Sequence, residues 1–273
     1  MSAPTDPARE ELLDELLDVA LEAAERAGTL LRDGRPADLG VAATKTSAVD
    51  VVTEMDLAAE KLITEIIGRR RPADGLLGEE GADTPGTSGV RWIVDPLDGT
   101  VNYLYGLPAW GVSIAAELRG EVVVGVVAAP MRGETCRAVR GRGAHLGDTV
   151  LRCREDAPLE RALVATGFGY VRARRVRQAA IAAEVIPLVR DVRRAGAAAL
   201  DLCDVAAGRL DGYWERGLNP WDLAAGVLIA EEAGARTGGR PGRPASGELV
   251  VAGSPGVHAA LTPILEDLGA WHD

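Results

Sequence analysis

The chain has 273 residues, 47% hydrophobic and 26% charged, and carries a net charge of −11 at pH 7. That length supplies a buried core for one large domain or two intimately packed ones, and no stretch approaches the roughly 18 uninterrupted apolar residues of a membrane span, which argues against a membrane role. A negative surface repels phosphates and so disfavours broad binding to nucleic acid. The three cysteines, Cys136, Cys153 and Cys203, are too scattered for a disulfide framework or a zinc site. The opening residues Met1 to Pro7 lack a basic segment leading into an apolar one, so a cytoplasmic protein is expected. Lysine occurs only at Lys45 and Lys61, every other basic residue but histidine being arginine, and this singles out Lys45.

Asp6-Pro7 predicts an N-cap and first helical position, and Leu12, Leu13, Leu16, Leu17, Ala20, Ala24, Ala27 and Leu31 recur at helical spacing up to Gly34 and Pro36. After a loop carrying Lys45-Thr46-Ser47, residues Val49 to Thr53 read as extended. Asp56 is then expected to cap a second helix running through Leu62, Ile63, Ile66 and Ile67. Gly75 to Gly78 predicts a short strand ending at Glu79-Glu80. A loop over 81–89 follows, then the apolar strand Val90 to Val94. Gly111 to Leu118, Glu121 to Ala129 and Thr135 to Arg140 predict antiparallel hairpin strands of one mixed sheet. Beyond them strands and helices alternate: strands at Ala162 to Ala165, Val192 to Arg194, Leu210 to Trp214 and Leu249 to Ala252, and helices at Arg174 to Val189, Ala197 to Ala207, Trp221 to Ala233 and Pro255 to Leu268. Alternation of this kind predicts a layered mixed αβ architecture, with the Gly-Arg-Pro cluster at 238–247 as an exposed loop.

Directly behind the strand at Val90 lies Asp95-Pro96-Leu97-Asp98-Gly99-Thr100, which delivers two carboxylates, a bendable backbone and a hydroxyl to one place. Asp-Pro and Asp-Gly also form plain turns that need no metal. Asp56, Glu79, Glu80, Asp95, Asp98 and Asp222 all sit at the ends of apolar segments. Singly, Asp56 reads as a cap, Glu79-Glu80 as a solvated pair and Asp222 as a first-turn carboxylate facing a helix dipole. Together, hard oxygen donors without His or Cys point to Mg²⁺ shared with a substrate phosphate.

The stretch Trp92 to Thr100 with Asn102 resembles the first signature of the inositol monophosphatase family. The resemblance extends to Lys45, Val49 to Asp56, Gly78-Glu79-Glu80, Gly196 to Asp201, and a second signature from Trp221-Asp222 to Glu232-Ala233-Gly234, in order along essentially the whole chain. It implies a single domain over 1–273 of the αβαβα sandwich type shared with fructose-1,6-bisphosphatases, with an α+β half to about 155 and an α/β half beyond. It also implies Mg²⁺-dependent hydrolysis of a phosphate monoester, releasing myo-inositol from inositol 1-phosphate. By position, Glu79, Asp95 and the Leu97 carbonyl would hold one Mg²⁺, Asp95, Asp98 and Asp222 a second, and a third, weaker ion would lie near Glu79. Thr100 and Asp56 would orient and deprotonate the attacking water together with Glu79, supported by Lys45 and Glu80. Gly99 and Thr100 would meet the phosphate. Asp98, Ala198, Glu215 and Asp222 would face the substrate hydroxyls, with Gly196 and Ala197 shaping the wall.

The family also implies a homodimer and inhibition by Li⁺. Its other members act on histidinol phosphate, fructose bisphosphate and 3′-phosphoadenosine nucleotides, and some bacterial relatives associate with RNA and transcription machinery. Arg172, Arg174, Arg175 and Arg177 form a local basic cluster that reads as a solvated helix face with arginine balancing acid rather than as an RNA patch. Tyr103 stands where phenylalanine is more usual and is expected to pack. The short Gly-rich loop between Glu80 and Asp95 leaves the outer edge of the pocket outside the family pattern.

Overall fold

The computed structural model describes residues 6–45, 51–155 and 157–272. Thr46, Ser47, Val49 and Asp50, which belong to the expected loop and extended segment, lie outside the described residues. In chain order the first part comprises α1 (Pro7–Asp33), β1 (Ala43–Thr44), β2 (Val51–Val52), α2 (Glu54–Arg70), β3 (Gly75–Gly78), β4 (Asp83–Thr84), β5 (Val90–Asp98), α3 (Thr100–Leu104), β6 (Gly111–Leu118), β7 (Glu121–Ala129), β8 (Glu134–Val139), β9 (Ala144–Leu146) and β10 (Thr149–Val150). The second comprises β11 (Leu163–Thr166), α4 (Arg172–Val185), β12 (Asp191–Arg193), α5 (Ala198–Ala206), β13 (Gly212–Glu215), α6 (Pro220–Glu232), β14 (Arg236–Gly238), β15 (Val250–Gly253) and α7 (Pro255–Asp267).

Besides the two-stranded β1-β2 ribbon, two large sheets organise these elements, an eight-stranded one in the order β10-β9-β8-β7-β6-β5-β3-β4 and a five-stranded one in the order β12-β11-β13-β15-β14. Side chains alternate across a strand, so each sheet has two apolar faces to cover. On β5, Trp92 and Val94 join the core made with α1 and α2, whereas Ile93 between them joins Leu200, Cys203, Ala225 and Ile229 of α5 and α6. On β13, Tyr213 faces Leu202, Val205 and Ala230 of those same helices. Its neighbour Trp214 faces Ile181, Val185, Leu261 and Leu265 of α4 and α7. The result is helix, sheet, helix, sheet, helix, the five-layer sandwich that the family pattern implies, with α5 and α6 apolar enough all round to be buried from both sides.

The structure corrects several expectations. Asp56 does not cap α2: the N-cap is Thr53, and Asp56 is the third helical residue, closing a capping box in which its carboxylate accepts from the Thr53 N–H. The Asp-Pro-Leu-Asp segment is not a turn beyond the strand. It is the bulged end of β5, where pairing with β6 shifts between Asp95 and Asp98; Pro96 has no N–H to offer the ladder, and the Leu97 N–H turns to Asp95 Oδ1 at 3.0 Å. The fourth helix begins at Arg172 and ends at Val185, where Pro187 opens a 3₁₀ turn over Ile186–Leu188. The expected loop over 81–89 holds the two-residue β4, paired antiparallel with β3.

Candidate active site

Parallel pairing of β3 with β5 sets Gly78 beside Val94, so the residues that follow emerge side by side. The Glu79 N–H bonds to the Val94 carbonyl at 3.2 Å, placing Glu79 next to Asp95. Opposite them α6 presents Asp222 in its first turn, where one carboxylate oxygen accepts from the Asn219 N–H at 2.5 Å. One oxygen from each of Glu79, Asp95 and Asp222 lies within 4.8 Å of the others. Asp98, at the end of β5, reaches across to the start of α5 and accepts from the Ala199 N–H at 2.7 Å.

Crowding three buried or half-buried carboxylates is costly unless positive charge balances them. Burial, and then the neighbouring Glu79 and Asp98 charges, push Asp95 and Asp222 well above the ordinary carboxylate range. Burial likewise raises Asp98 to about 7. Lys45 supplies one compensating charge, its Nζ lying 2.7 Å from Glu79 Oε1 and 2.6 Å from Glu80 Oε1. Burial pulls the ammonium down, but the two carboxylates outweigh it and hold Lys45 above the usual lysine range. The side of Glu79 toward Asp95 and Asp222 remains uncompensated and offers only oxygen donors, a set that suits Mg²⁺.

Thr100, the first residue of α3, donates its single hydroxyl proton to Asp56 Oδ1 at 2.9 Å or to the Leu97 carbonyl at 3.1 Å. Asp56 also accepts from Thr53 Oγ1 at 2.5 Å. Burial raises its pKa and the Thr53 and Thr100 bonds offset part of the rise. Gly99 before it has φ 92°, a left-handed conformation that favours glycine, and a Cβ there would meet the Ala109 carbonyl at 2.8 Å. On the far wall Glu215, at the end of β13, accepts from the Tyr213 hydroxyl at 2.6 Å; burial raises its pKa to about 7 against the opposing influence of Tyr213 and Arg194.

These groups share one cavity of about 450 Å³, lined by Lys45, Glu79, Asp95, Leu97, Asp98, Gly99, Thr100, Gly196, Ala198, Glu215 and Asp222 among others, within the size range of small-molecule sites. Asp56 stands behind Thr100, and Glu80 is turned toward Lys45. Ala197, expected in the wall, is instead buried in the core, because its Cβ points inward as α5 begins.

Several roles escaped the sequence reading, among them those of Asn102 and Arg174, which were named there on other grounds. Glu60 of α2 accepts from the Glu80 and Ala82 N–H groups at 2.8 and 3.1 Å and so holds the Glu79-Glu80 turn. Its only sequence signal is a carboxylate on the apolar face of α2. Asn102 Nδ2 donates to the carbonyls of Ala109 and Ala195 at 2.6 and 2.8 Å, tying the segment after β5 to the approach to α5. Arg174, read above only as part of a basic cluster, and Arg194 also line the cavity, and no local pattern announces that position for either.

The sequence pattern of the inositol monophosphatase family matches residues 12–270. Inositol-1-monophosphatase SuhB of Mycobacterium tuberculosis is 48% identical over 237 residues, covering 83% of this chain and 82% of that protein. Nus factor SuhB of Pasteurella multocida is 42% identical over 224 residues, covering 81% and 84%. The crystal structure of extragenic suppressor protein suhB from Bartonella henselae superposes with a TM-score of 0.86 at 38% identity, covering 92% of this chain and 98% of that one. With a site of this composition, a match along nearly its whole length and a shared five-layer architecture, the chain belongs to the inositol monophosphatase family.

Proposed function

We propose that the chain is a Mg²⁺-dependent phosphatase of polyol phosphate monoesters, with inositol 1-phosphate as its substrate. The observation that carries this reading is the convergence of Glu79, Asp95 and Asp222 oxygens within 4.8 Å beside the Thr100–Asp56 pair. Glu79, Asp95, Asp98, Asp222 and the Leu97 carbonyl would hold the ions. Bound Mg²⁺ supplies the positive charge that acidifies water and offsets charge on phosphate oxygens. Thr100 Oγ1, with its own proton directed to Asp56, keeps a lone pair to orient the attacking water, and Asp56 receives the proton that moves through the hydroxyl. As the water oxygen bonds to phosphorus, the ester P–O bond breaks with its electron pair going to the polyol oxygen, which takes a proton from solvent water while Asp56 returns the one it received to solvent. Gly99, lacking a Cβ, lets the phosphate approach the backbone. Asp98 and Glu215 accept from polyol hydroxyls, as carboxylates accept from vicinal diols.

Family membership supports the same reading at finer grain, with Li⁺ competing for one ion position and a cytoplasmic homodimer, and the net charge of −11 argues against a nucleic-acid partner. Relatives named Nus factor SuhB suggest an RNA or transcription role. Against it, Arg175 Nε donates to the Gly169 carbonyl at 3.0 Å, Arg177 Nη2 donates to that of Leu268 at 2.9 Å, and Arg174 faces the cavity. Those arginines serve the fold and the site.

Phosphate release from inositol 1-phosphate, histidinol phosphate and a 3′-phosphoadenosine nucleotide, with and without Mg²⁺, tests the proposal. Inositol 1-phosphate is expected to turn over fastest, with Asp98→Asn and Mg²⁺ removal each lowering the rate by at least about 10²-fold. Faster release from either of the other two sinks the polyol assignment, and full activity without metal sinks the mechanism.

A further inference from the structure

The polyol end of the cavity is built where two parallel strands part. β11 and β13 pair as far as Thr166 beside Trp214. Beyond that register both chains line the cavity, Gly167 to Val171 on one side and Glu215, Gly217 and Leu218 on the other. The Glu215 carboxylate lies in the cleft between them, since a Cβ on Gly167 would meet its three heavy atoms within 2.2 Å. Strands that splay leave peptide groups without ladder partners, and a buried N–H or carbonyl is costly unless another group takes it. Gln178 of α4, only 7% exposed, takes one of each. Its Oε1 accepts from the Gly169 N–H at 2.8 Å and its Nε2 donates to the Arg216 carbonyl at 3.0 Å. A side-chain amide carries an acceptor and a donor in one plane, as a peptide does, so Gln178 links the two strands where their own ladder has stopped. Glutamate would offer only acceptors, lysine only donors, and methionine at most a weak acceptor.

We infer that Gln178 is a positioning residue for substrate selection: by clamping Gly169 to Arg216 it fixes the separation of the two segments that flank Glu215, and so the point at which that carboxylate meets the polyol. This rests on the reading of Glu215 as an acceptor for polyol hydroxyls in the proposed phosphatase. Gln178 is not itself part of the cavity lining, so it reaches the substrate only through the walls it joins. A glutamine that served the fold alone would slow hydrolysis of every ester alike, whereas one that aims Glu215 acts only on esters with hydroxyls for Glu215 to hold.

A double-mutant cycle on the Mg²⁺-loaded protein separates the two. It compares wild type, Q178M, E215Q and Q178M/E215Q on inositol 1-phosphate and on p-nitrophenyl phosphate, which has no polyol hydroxyls. Q178M removes both hydrogen bonds at nearly constant shape and is expected to lower kcat/KM for inositol 1-phosphate by about tenfold. The loss should fall on KM rather than kcat, because Glu215 holds the polyol both before and during bond breaking, and p-nitrophenyl phosphate should change by less than about threefold. In the E215Q background the same substitution should cost less than about threefold on inositol 1-phosphate, its route to the substrate having been removed already. No loss in Q178M, equal loss on both esters, or a loss of about tenfold that persists in E215Q overturns the inference. If Q178M does not fold, Q178E, which keeps the length and the Gly169 bond and loses the Arg216 one, takes its place in the cycle under the same criteria. E215Q alone tests the reading beneath: wild-type kcat/KM on inositol 1-phosphate refutes the role of Glu215 and the inference with it, and release of phosphate from neither ester by the wild type refutes the phosphatase. An impaired E215Q whose loss simply adds to that of Q178M refutes the inference alone.

Discussion

At the scale of single residues, Glu215 shows how a carboxylate is aimed. Its Oε2 takes the Tyr213 hydroxyl at 2.6 Å, and a Cβ on Gly167 would fall 1.8 Å from that same oxygen. The wall is therefore glycine where the carboxylate lies and tyrosine where it must be held. Hydrogen bonds to charged groups contribute about 1.5–3 kcal/mol, so Tyr213→Phe should lower kcat/KM for a polyol phosphate by roughly tenfold, and Gly167→Ala by at least as much. Neither should alter hydrolysis of p-nitrophenyl phosphate, which has no polyol hydroxyls, by more than about threefold; equal loss on both substrates would show that Tyr213 and Gly167 act on the fold rather than on Glu215. The sequence pointed to Glu215 only through resemblance, and it could not point to Gly167, which lies 48 residues away and matters solely through contact.

At the scale of elements, periodicity was readable wherever an element was long enough to repeat. The apolar stripe of α1 and the β6–β7 hairpin appear where spacing put them. The two-residue strands β1, β4 and β10 show no alternation because they have no room for one. Asp56 was placed at the wrong cap position since Thr53 and Asp56 both satisfy N-terminal N–H groups, and only the backbone decides which of them lies outside the helix. Tyr103 packs as its apolar context suggested, fully buried, its ring 5.0 Å from Trp110 and its hydroxyl on the Leu31 carbonyl at 2.6 Å. The helix that carries Asp222 is seated by a second close approach: a Cβ on Gly125 of β7 would meet the Ala225 carbonyl oxygen at 2.8 Å and its Cα at 3.0 Å. Gly125→Ala should therefore cost about 1–3 kcal/mol by overpacking, seen as a Tm lowered by several degrees. An unchanged Tm would mean that α6 has slack against the sheet.

For the whole molecule, the layering gathers acid at its centre. Asp201 of α5 is 2% exposed; burial, and then the charges of Glu215 and Asp98, push its pKa up to about 8. The folded chain thus keeps a proton between about pH 4 and 8 that the unfolded chain has released. Stability from this group is fully present below the unfolded value and is lost as pH rises toward the folded one. Asp201→Asn removes that slope, so its Tm should exceed the wild-type value by at least several degrees at pH 8, and the gain should shrink as pH falls and vanish below about pH 4. A gain of the same size at both pH values would dissociate Asp201 from the trend. What the amino-acid order determines by itself is local: helix and strand periods, the oxygen-only donor set, and the strand ends that carry Glu79 and Asp95. Only the tertiary structure decided which ends meet. Register between β3 and β5, the burial of α5 and α6 between two sheets, and the gathering of Glu79, Asp95 and Asp222 are contacts across large sequence separations, and no local pattern encodes a distance between segments that chain connectivity leaves free.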